Sequence, residues 1–515
     1  MKMFKNLLLA LVLLSCSDSL ELLPEDTLTP EVFYSNPSNL PAGLVGIYDA
    51  AQGIFNNMPL LEGITDNGIC YNFSQDYQGF GQGTLTPVSV TFIIIREYQG
   101  TFTLIHRANL LLANIDVPVG ITDEERETIR YEARALRAIA YMRLVYLFGD
   151  VPFYTTPLTR EEILNISRTD RNEVLEFVID ELTEATEMLE PAPFNGNAGR
   201  LTSIATSAFL ARIYLYEARL GNIGWQQARS VITDALLLAE ANGIDLFLSG
   251  DGLDGQANYQ ELFYENNEDN SEIIWAVKYD VNDASTSKAG NFLPVAGTLD
   301  MTILQELVDS YYTVDGLPIT SSNSIFNPNS PYENRDPRLQ ATVIVPGAEY
   351  SDGFNIVSLT ENANPVSRTP FYLRKFTTLN GEIELDEGRL DAIIIRHSDL
   401  LLMLAESENE VNGPTGIAQN AFNRVRDRVL MPRVSTNISQ DDFRSEIIHE
   451  RRVELAFEES RWFDLVTLGI AEERIDGIGN DEVLMRDFVP NKQELFPIPQ
   501  TEIDLNQNLQ QNPGY

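Results

Sequence analysis

Apolar residues recur every three or four positions through several long stretches of the chain, the spacing of one face of an α-helix. In YEARALRAIAYMRLVYLFGDVP, Leu136, Ile139, Ala140, Leu144 and Leu147 share one face. Gly149 and Pro152 predict where that helix stops. In SRTDRNEVLEFVIDELTEATEML, Thr169 and Asp170 are cap candidates ahead of a stripe of Val174, Phe177, Val178, Leu182 and Leu189. A second pair follows, TSIATSAFLARIYLYEA and WQQARSVITDALLLAEANG, in which Ala205, Ala208 and Ala211 let a neighbouring helix approach closely. A third, IIIRHSDLLLMLAESENEVNG with AQNAFNRVRDRVLMP, comes much later.

The predicted fold is mainly α, with helical hairpins of tetratricopeptide type forming a scaffold. No clean period of about 34 residues is present, which argues against a regular solenoid. Long insertions interrupt the pattern. Residues 66–92 and 279–300 are rich in glycine, aromatics and amides. Residues 313–392 carry turn signals and alternating runs such as LQATVIVPG, which predict a few short strands. Loops of this length in a compact protein are usually functional.

The N-terminus departs from this pattern. Lys2 and Lys5 precede an unbroken apolar run from Leu7 to Leu14. A spanning helix needs about 20 apolar residues, so the run is too short to cross a membrane and reads as a secretory signal. Leu13-Leu14-Ser15-Cys16 is similar to a bacterial lipobox, which predicts a signal peptide over 1–15 and lipidation of Cys16. Residues 16–41 then form a proline-rich tether. Cys70 is the one other cysteine, so no disulfide is expected.

Composition narrows the function. The net charge is −40, from 36 basic and 76 acidic residues, which disfavours nucleic acid and other polyanions as partners. His106, His397 and His449 have no second histidine at a metal-binding spacing. Gly79, Gly81 and Gly83 read as a flexible loop, with no strand before and no helix after, not as a dinucleotide site. Asp251 and Asp254 in LSGDGLDGQANY suit calcium by ligand type but lack the loop spacing and terminal glutamate, so a turn is expected. No cofactor is predicted. With so many acids, the sequence neither selects nor excludes a glycosidase pair.

Two strings are more specific. In SQDDFRSEIIHERRVELAFEESRWFDLVTLG, Arg451, Glu454, Glu458 and Arg461 are expected to form a charged ladder along one helix, beside an apolar stripe of Ile448, Leu455 and Trp462. In LFPIPQTEIDLNQNLQQNPGY, Pro497 and Pro499 predict an extended tail. Both strings resemble signatures of the SusD/RagB-like outer-membrane lipoproteins of Bacteroidota. Glu450–Leu455 and Arg461–Leu465 match the helix signature, and further matches lie at 147–152, 199–216, 332–339 and 396–413.

The resemblance covers nearly the whole chain after the signal and implies an N-terminal region over 42–260 and a C-terminal region over 261–515. It implies a binder and not an enzyme. Such a protein is anchored to the outer membrane by its lipid and faces the exterior, where Asp18 and Glu21 resemble an export signal. It captures an oligosaccharide, or in one branch a peptide, as a lid on a SusC-like TonB-dependent transporter barrel. A glycoside hydrolase and a purely structural role remain as alternatives. A sugar needs aromatic faces for its CH surfaces and polar partners for its hydroxyls. Asp66, Asn67, Tyr71, Asn72, Tyr77 and Phe80 in the first insertion meet that need, as do Tyr98 with Phe102, and Tyr279 with Phe292. Members of the family often carry tryptophan where this chain has Tyr98.

Overall fold

The computed structural model describes residues 29–55, 58–70, 75–90, 93–279, 301–351, 356–358, 369–376, 390–479 and 485–515. Cys16, Tyr71, Asn72 and Phe292 lie outside them, as does the signal segment. The scaffold is built from α1 (Asn39–Phe55), α2 (Ile93–Ala113), α3 (Asp123–Phe148), α4 (Arg171–Met188), α5 (Ser203–Arg219), α6 (Trp225–Ala241), α7 (His397–Asn412), α8 (Gly416–Arg428) and α9 (Gln440–Glu454). From α1 to α6 each helix packs on its neighbour in sequence. α7 then packs on both α6 and α8, so the helical stack resumes directly after residues 242–396. The predicted fold class is therefore the observed one.

Local chemistry sets the helix ends. The Thr122 hydroxyl accepts from Glu125 N, and three acids follow in the first turn of α3, where they face the positive end of the helix dipole. Gly149 ends α3 at φ 70°, a conformation that costs a side-chain-bearing residue energy. Asp170 caps α4 and Thr202 caps α5. α7 is buried from His397 to Asn409; its central run, residues 400–405, packs in the core, and buried acids on either side, Asp399 and Glu406, are taken up by arginines.

The strands are short and paired in twos. β1 (Gly68–Cys70) runs antiparallel to β3 (Met301–Ile303), and β2 (Ile273–Val277) to β4 (Ala392–Arg396). The pair β2–β4 carries the chain into α7, so Ile393–Arg396 is strand where the helical reading had extended.

Other expectations need correction. Gly79 and Gly81 lie in a helix, Gln75–Gly81, that follows strand β1, not in a flexible loop. A Cβ at Gly81 would overlap the Arg486 guanidinium, so the glycine permits close packing. The charged ladder does not form. α9 ends at Glu454, Phe457 and Glu459 adopt φ 64° and 66°, and a separate helix α10 (Ser460–Thr467) follows. The expected ladder residues therefore point to different partners. The tail is not wholly extended either, because Pro499 caps a short helix, Gln500–Leu505.

Candidate functional site

The first insertion is drawn into the core. Asp66 is buried and its two carboxylate oxygens accept from Arg461 Nε at 2.8 Å and Nη2 at 2.7 Å. Arg452 Nη2 is 3.0 Å away. Burial pushes the Asp66 carboxyl up, but the two guanidinium groups outweigh it and hold it at about 2. Asn67 is also buried; it accepts from Arg452 Nε at 2.9 Å and donates to Glu62 Oε2 at 2.7 Å. Burial raises Glu62 to about 7 against the opposing pull of Asn67 and Arg461. Tyr77 and Phe80 are buried against Phe496, and Phe80 also meets Trp462 edge-on. The polar groups of Asp66 and Asn67 are thus taken up by protein contacts.

The structure brings two insertions together at their roots. Cys70 pairs with Met301 across the β1–β3 ladder. Those residues flank the segments that hold Tyr71 and Phe292. Ile303 N donates to Phe371 O, which adds the root of a third segment. Tyr279 is half-buried; its hydroxyl donates to Gln52 O at 3.1 Å and its amide to Asp391 at 3.2 Å. Lys278 Nζ lies 2.6 Å from Asp391. These contacts tie the start of the 279–300 insertion to α1 and to the root of β4.

Tyr98 occupies a different place. Its ring is 3% exposed and packs on Phe102 and Phe148 at centroid distances of 4.9 and 5.1 Å. It is no open platform. It forms part of the wall of a cleft of about 450 Å³. Phe102 and Tyr154 stack at 6.2 Å with planes 10° apart, and Leu164, Ile166 and Leu509 continue the apolar lining. Gln99, Thr103 and His106 line it from α2, and Glu502 and Asn506 from the C-terminal tail. The tail residues were read only as a family signature; their part in a cleft depends on a contact some 400 positions away in sequence, which no local pattern reveals. Gln99 Nε2 donates to Glu502 at 2.7 Å.

A feature that sequence reasoning missed is a set of buried ion pairs joining the motif segments. Arg396 lies 2.6 Å from each of Glu272, Glu454 and Glu458. Arg428 also reaches Glu272 and Glu454, and Arg338 reaches Asp336, Glu450 and Glu454. A second set links α5 to the C-terminal half, with Arg219 at 2.6 Å from both Glu406 and Asp464. Arg451 bridges Asp399 and Asp464. Burial raises the carboxyl of Glu454, but the three arginines around it hold it well below the ordinary range. Arginines likewise hold Glu272, Glu450, Asp399 and Asp464 below the ordinary carboxylate range against the opposing effect of burial, which suits a rigid frame and not proton transfer.

The remaining candidates fall into structural places. His397 is buried beside Arg424, His449 stacks on Tyr312 at 3.9 Å, and His106 is exposed at the cleft. Asp254 caps the helix Gly255–Gln260, and Asp251 accepts from Leu253 N in the turn before it. Among the described residues, no helix is long and apolar enough to cross a membrane, and no group of three or more histidine, cysteine or acidic residues could hold a metal ion.

Comparison with known proteins bears on both halves of the chain. A family model described as "SusD family" matches residues 271–515. A second, described as "Starch-binding associating with outer membrane", matches residues 18–215. SusD-like protein P25 of Formosa agariphila is 27% identical, with 97% of each chain covered. A structure described as a SusD-like carbohydrate binding protein from Bacteroides fragilis superposes with a TM-score of 0.78 at 25% identity, covering 93% of this chain and 100% of that one. A laminarin binding SusD-like protein superposes with a TM-score of 0.70 at 27% identity, covering 94% and 100%. The motif segments, the helical stack and these similarities along nearly the whole length agree: the chain belongs to the SusD/RagB-like family.

Proposed function

We propose that this protein is a non-catalytic binder of neutral glycans on the outer surface of the outer membrane, anchored through lipidated Cys16. It acts as a lid that captures oligosaccharides and passes them to a SusC-like TonB-dependent transporter. The observation that carries the reading is the Cys70–Met301 pairing, which gathers the roots of the two insertions richest in aromatics and amides. Tyr71 and Phe292 are the ring candidates in those insertions, and Tyr279 stands at the root of one. Two similar proteins described as carbohydrate binding and laminarin binding support the ligand class. The −40 charge favours a neutral ligand over a polyanion.

Regions 42–260 and 261–515 act as one body in this reading, because Arg219 of the first is held by Glu406 and Asp464 of the second. A rigid body suits a lid that moves as a whole. Only ligand that binds the closed state better drives closure. The test is twofold. Titration of the soluble protein against neutral glucans, anionic polysaccharides and peptides reports the ligand, and co-purification from outer membranes reports the barrel. Saturable glucan binding and a co-purifying barrel support the reading; peptide binding alone, or release of reducing ends, overturns it.

A further inference from the structure

Beyond its Val277–Ala392 pair, the end of the β2–β4 ladder is held by side chains. Asp391 Oδ1 accepts from Tyr279 N at 3.2 Å, and Asp391 Oδ2 lies 2.6 Å from Lys278 Nζ. The Asp391 amide donates to Glu268 Oε1 at 2.7 Å. Lys278 Nζ also reaches Asp269 at 2.8 Å, and Gln52 Nε2 of α1 donates to Lys278 O at 2.6 Å. Four segments therefore meet here: α1, the turn that holds Glu268, the end of β2 and the start of β4.

The charges at this meeting point are uneven. Lys278 pairs with Asp269 and Asp391, and among the described residues no cation pairs with Glu268. Glu265 faces Glu268 from the same turn, and Arg200, beside the glycine that packs on the Lys278 stem, turns away to Glu132. Burial pushes the Glu268 carboxyl up from 4.5, Asp391 adds to the push, and the group stands at about 8. Burial raises Asp391 from 3.8 to about 6, against the pull of Lys278. Lys278 keeps its charge because Asp269 and Asp391 outweigh its burial, and burial keeps the Tyr279 hydroxyl protonated. A carboxyl that prefers its proton in the folded state stabilises below its unfolded value, and that stability is lost as pH rises through its folded value. The contacts are therefore firm near pH 5, whereas above pH 8 Glu268 and Asp391 are both anions and repel each other.

We propose that Glu268 and Asp391 form a proton-operated latch on this strand end. With Glu268 protonated, the contacts of Asp391 with Lys278 and Tyr279 hold the ends of β2 and β4 together. Ionisation of Glu268 loosens those ends and leaves the helical stack intact. The latch is read without ligand, so it stands or falls apart from glycan capture.

Amide exchange followed by mass spectrometry tests it, because exchange reports local opening. The soluble protein and Glu268→Gln are compared at pH 5.5, 7 and 8.5, with each rate corrected for intrinsic exchange at that pH. Glutamine keeps an acceptor for the Asp391 amide and cannot ionise. In wild type, peptides covering 273–279 and 391–396 are expected to lose about tenfold in protection between pH 5.5 and 8.5, less than the whole displacement of Glu268 because solvent reaches these half-buried groups. In Glu268→Gln the same peptides are expected to stay level, and peptides from α3 are expected to stay level in both proteins. Level protection of the strand ends in wild type, an equal fall in Glu268→Gln, or a fall of the same size in α3 overturns the proposal. The wild-type comparison of the strand ends with α3 needs no variant, so it decides the proposal even where Glu268→Gln fails to fold.

Discussion

Asp66 and Arg461 stand 395 positions apart and meet in a two-pronged ion pair with N–O distances of 2.8 and 2.7 Å. The pair pins the first insertion to α10, inside the segment that carries the family signature. Asp66→Asn leaves Arg461 buried without its counter-charge, and breaking a buried pair costs about 3–5 kcal/mol. Urea unfolding is expected to show that loss. At a temperature where the variant is folded, its glycan affinity is expected to match wild type, because the carboxylate faces arginine and not a ligand.

Acid and base act on this region with opposite signs. Asp66 is held at about 2, below its ordinary 3.8, so its stabilisation is present above 3.8 and is lost as pH falls through 2. Glu62 is raised from 4.5 to about 7, so its folded form prefers the proton. Its stability is full below 4.5 and is lost as pH rises through 7, by roughly 3 kcal/mol at 1.36 kcal/mol per unit. Glu62→Gln imitates the protonated form. Unfolding measured at pH 4.5, 6 and 8 is expected to decline less steeply in this variant than in wild type; an identical slope contradicts the assignment.

Buried and exposed pairs are predicted to behave differently. Glu454 accepts from three arginines and is fully buried, so Glu454→Gln is expected to cost about 3–5 kcal/mol. The Arg433–Asp427 pair is solvent-exposed, with a distance of 2.7 Å that is similar to the buried ones. Asp427→Asn is expected to leave the unfolding midpoint unchanged. Parallel denaturation curves of the two variants check both statements.

The helical stack was legible because its signals are local. Periodic apolar positions and the Asp170 cap lie within single segments, and the structure keeps them. The ladder from Arg451 to Arg461 was not legible. Helical spacing puts opposite charges in reach, yet positive φ at Phe457 and Glu459 breaks the helix, and each charge finds a distant partner instead. Asp66 and Asn67 looked like ligand groups because amides and acids in a glycine-rich stretch suit a sugar. Their ion pair and hydrogen bond with the signature segment depend on tertiary contacts that composition does not encode. Tyr98 was found at a cleft, but with its ring packed inward and its hydroxyl alone unsatisfied.

The proposed anchor rests on one residue, Cys16. Cys16→Ser is expected to remove acyl labelling with a palmitate analogue and to shift the protein from the membrane fraction to the soluble fraction, with its glycan affinity unchanged. Retention of the variant in the membrane contradicts lipidation at this cysteine.

In the proposed function the glycan binds where the Cys70 and Met301 roots meet. The most direct measurement is calorimetric titration of soluble protein lacking residues 1–16 with neutral glucans, beside a Tyr71→Ala/Phe292→Ala double variant. Saturable binding to a neutral glucan is expected, with a loss of roughly 5- to 150-fold in the double variant, since each stacked ring contributes about 0.5–1.5 kcal/mol. Binding to peptides alone, or glucan binding equal in both proteins, contradicts it.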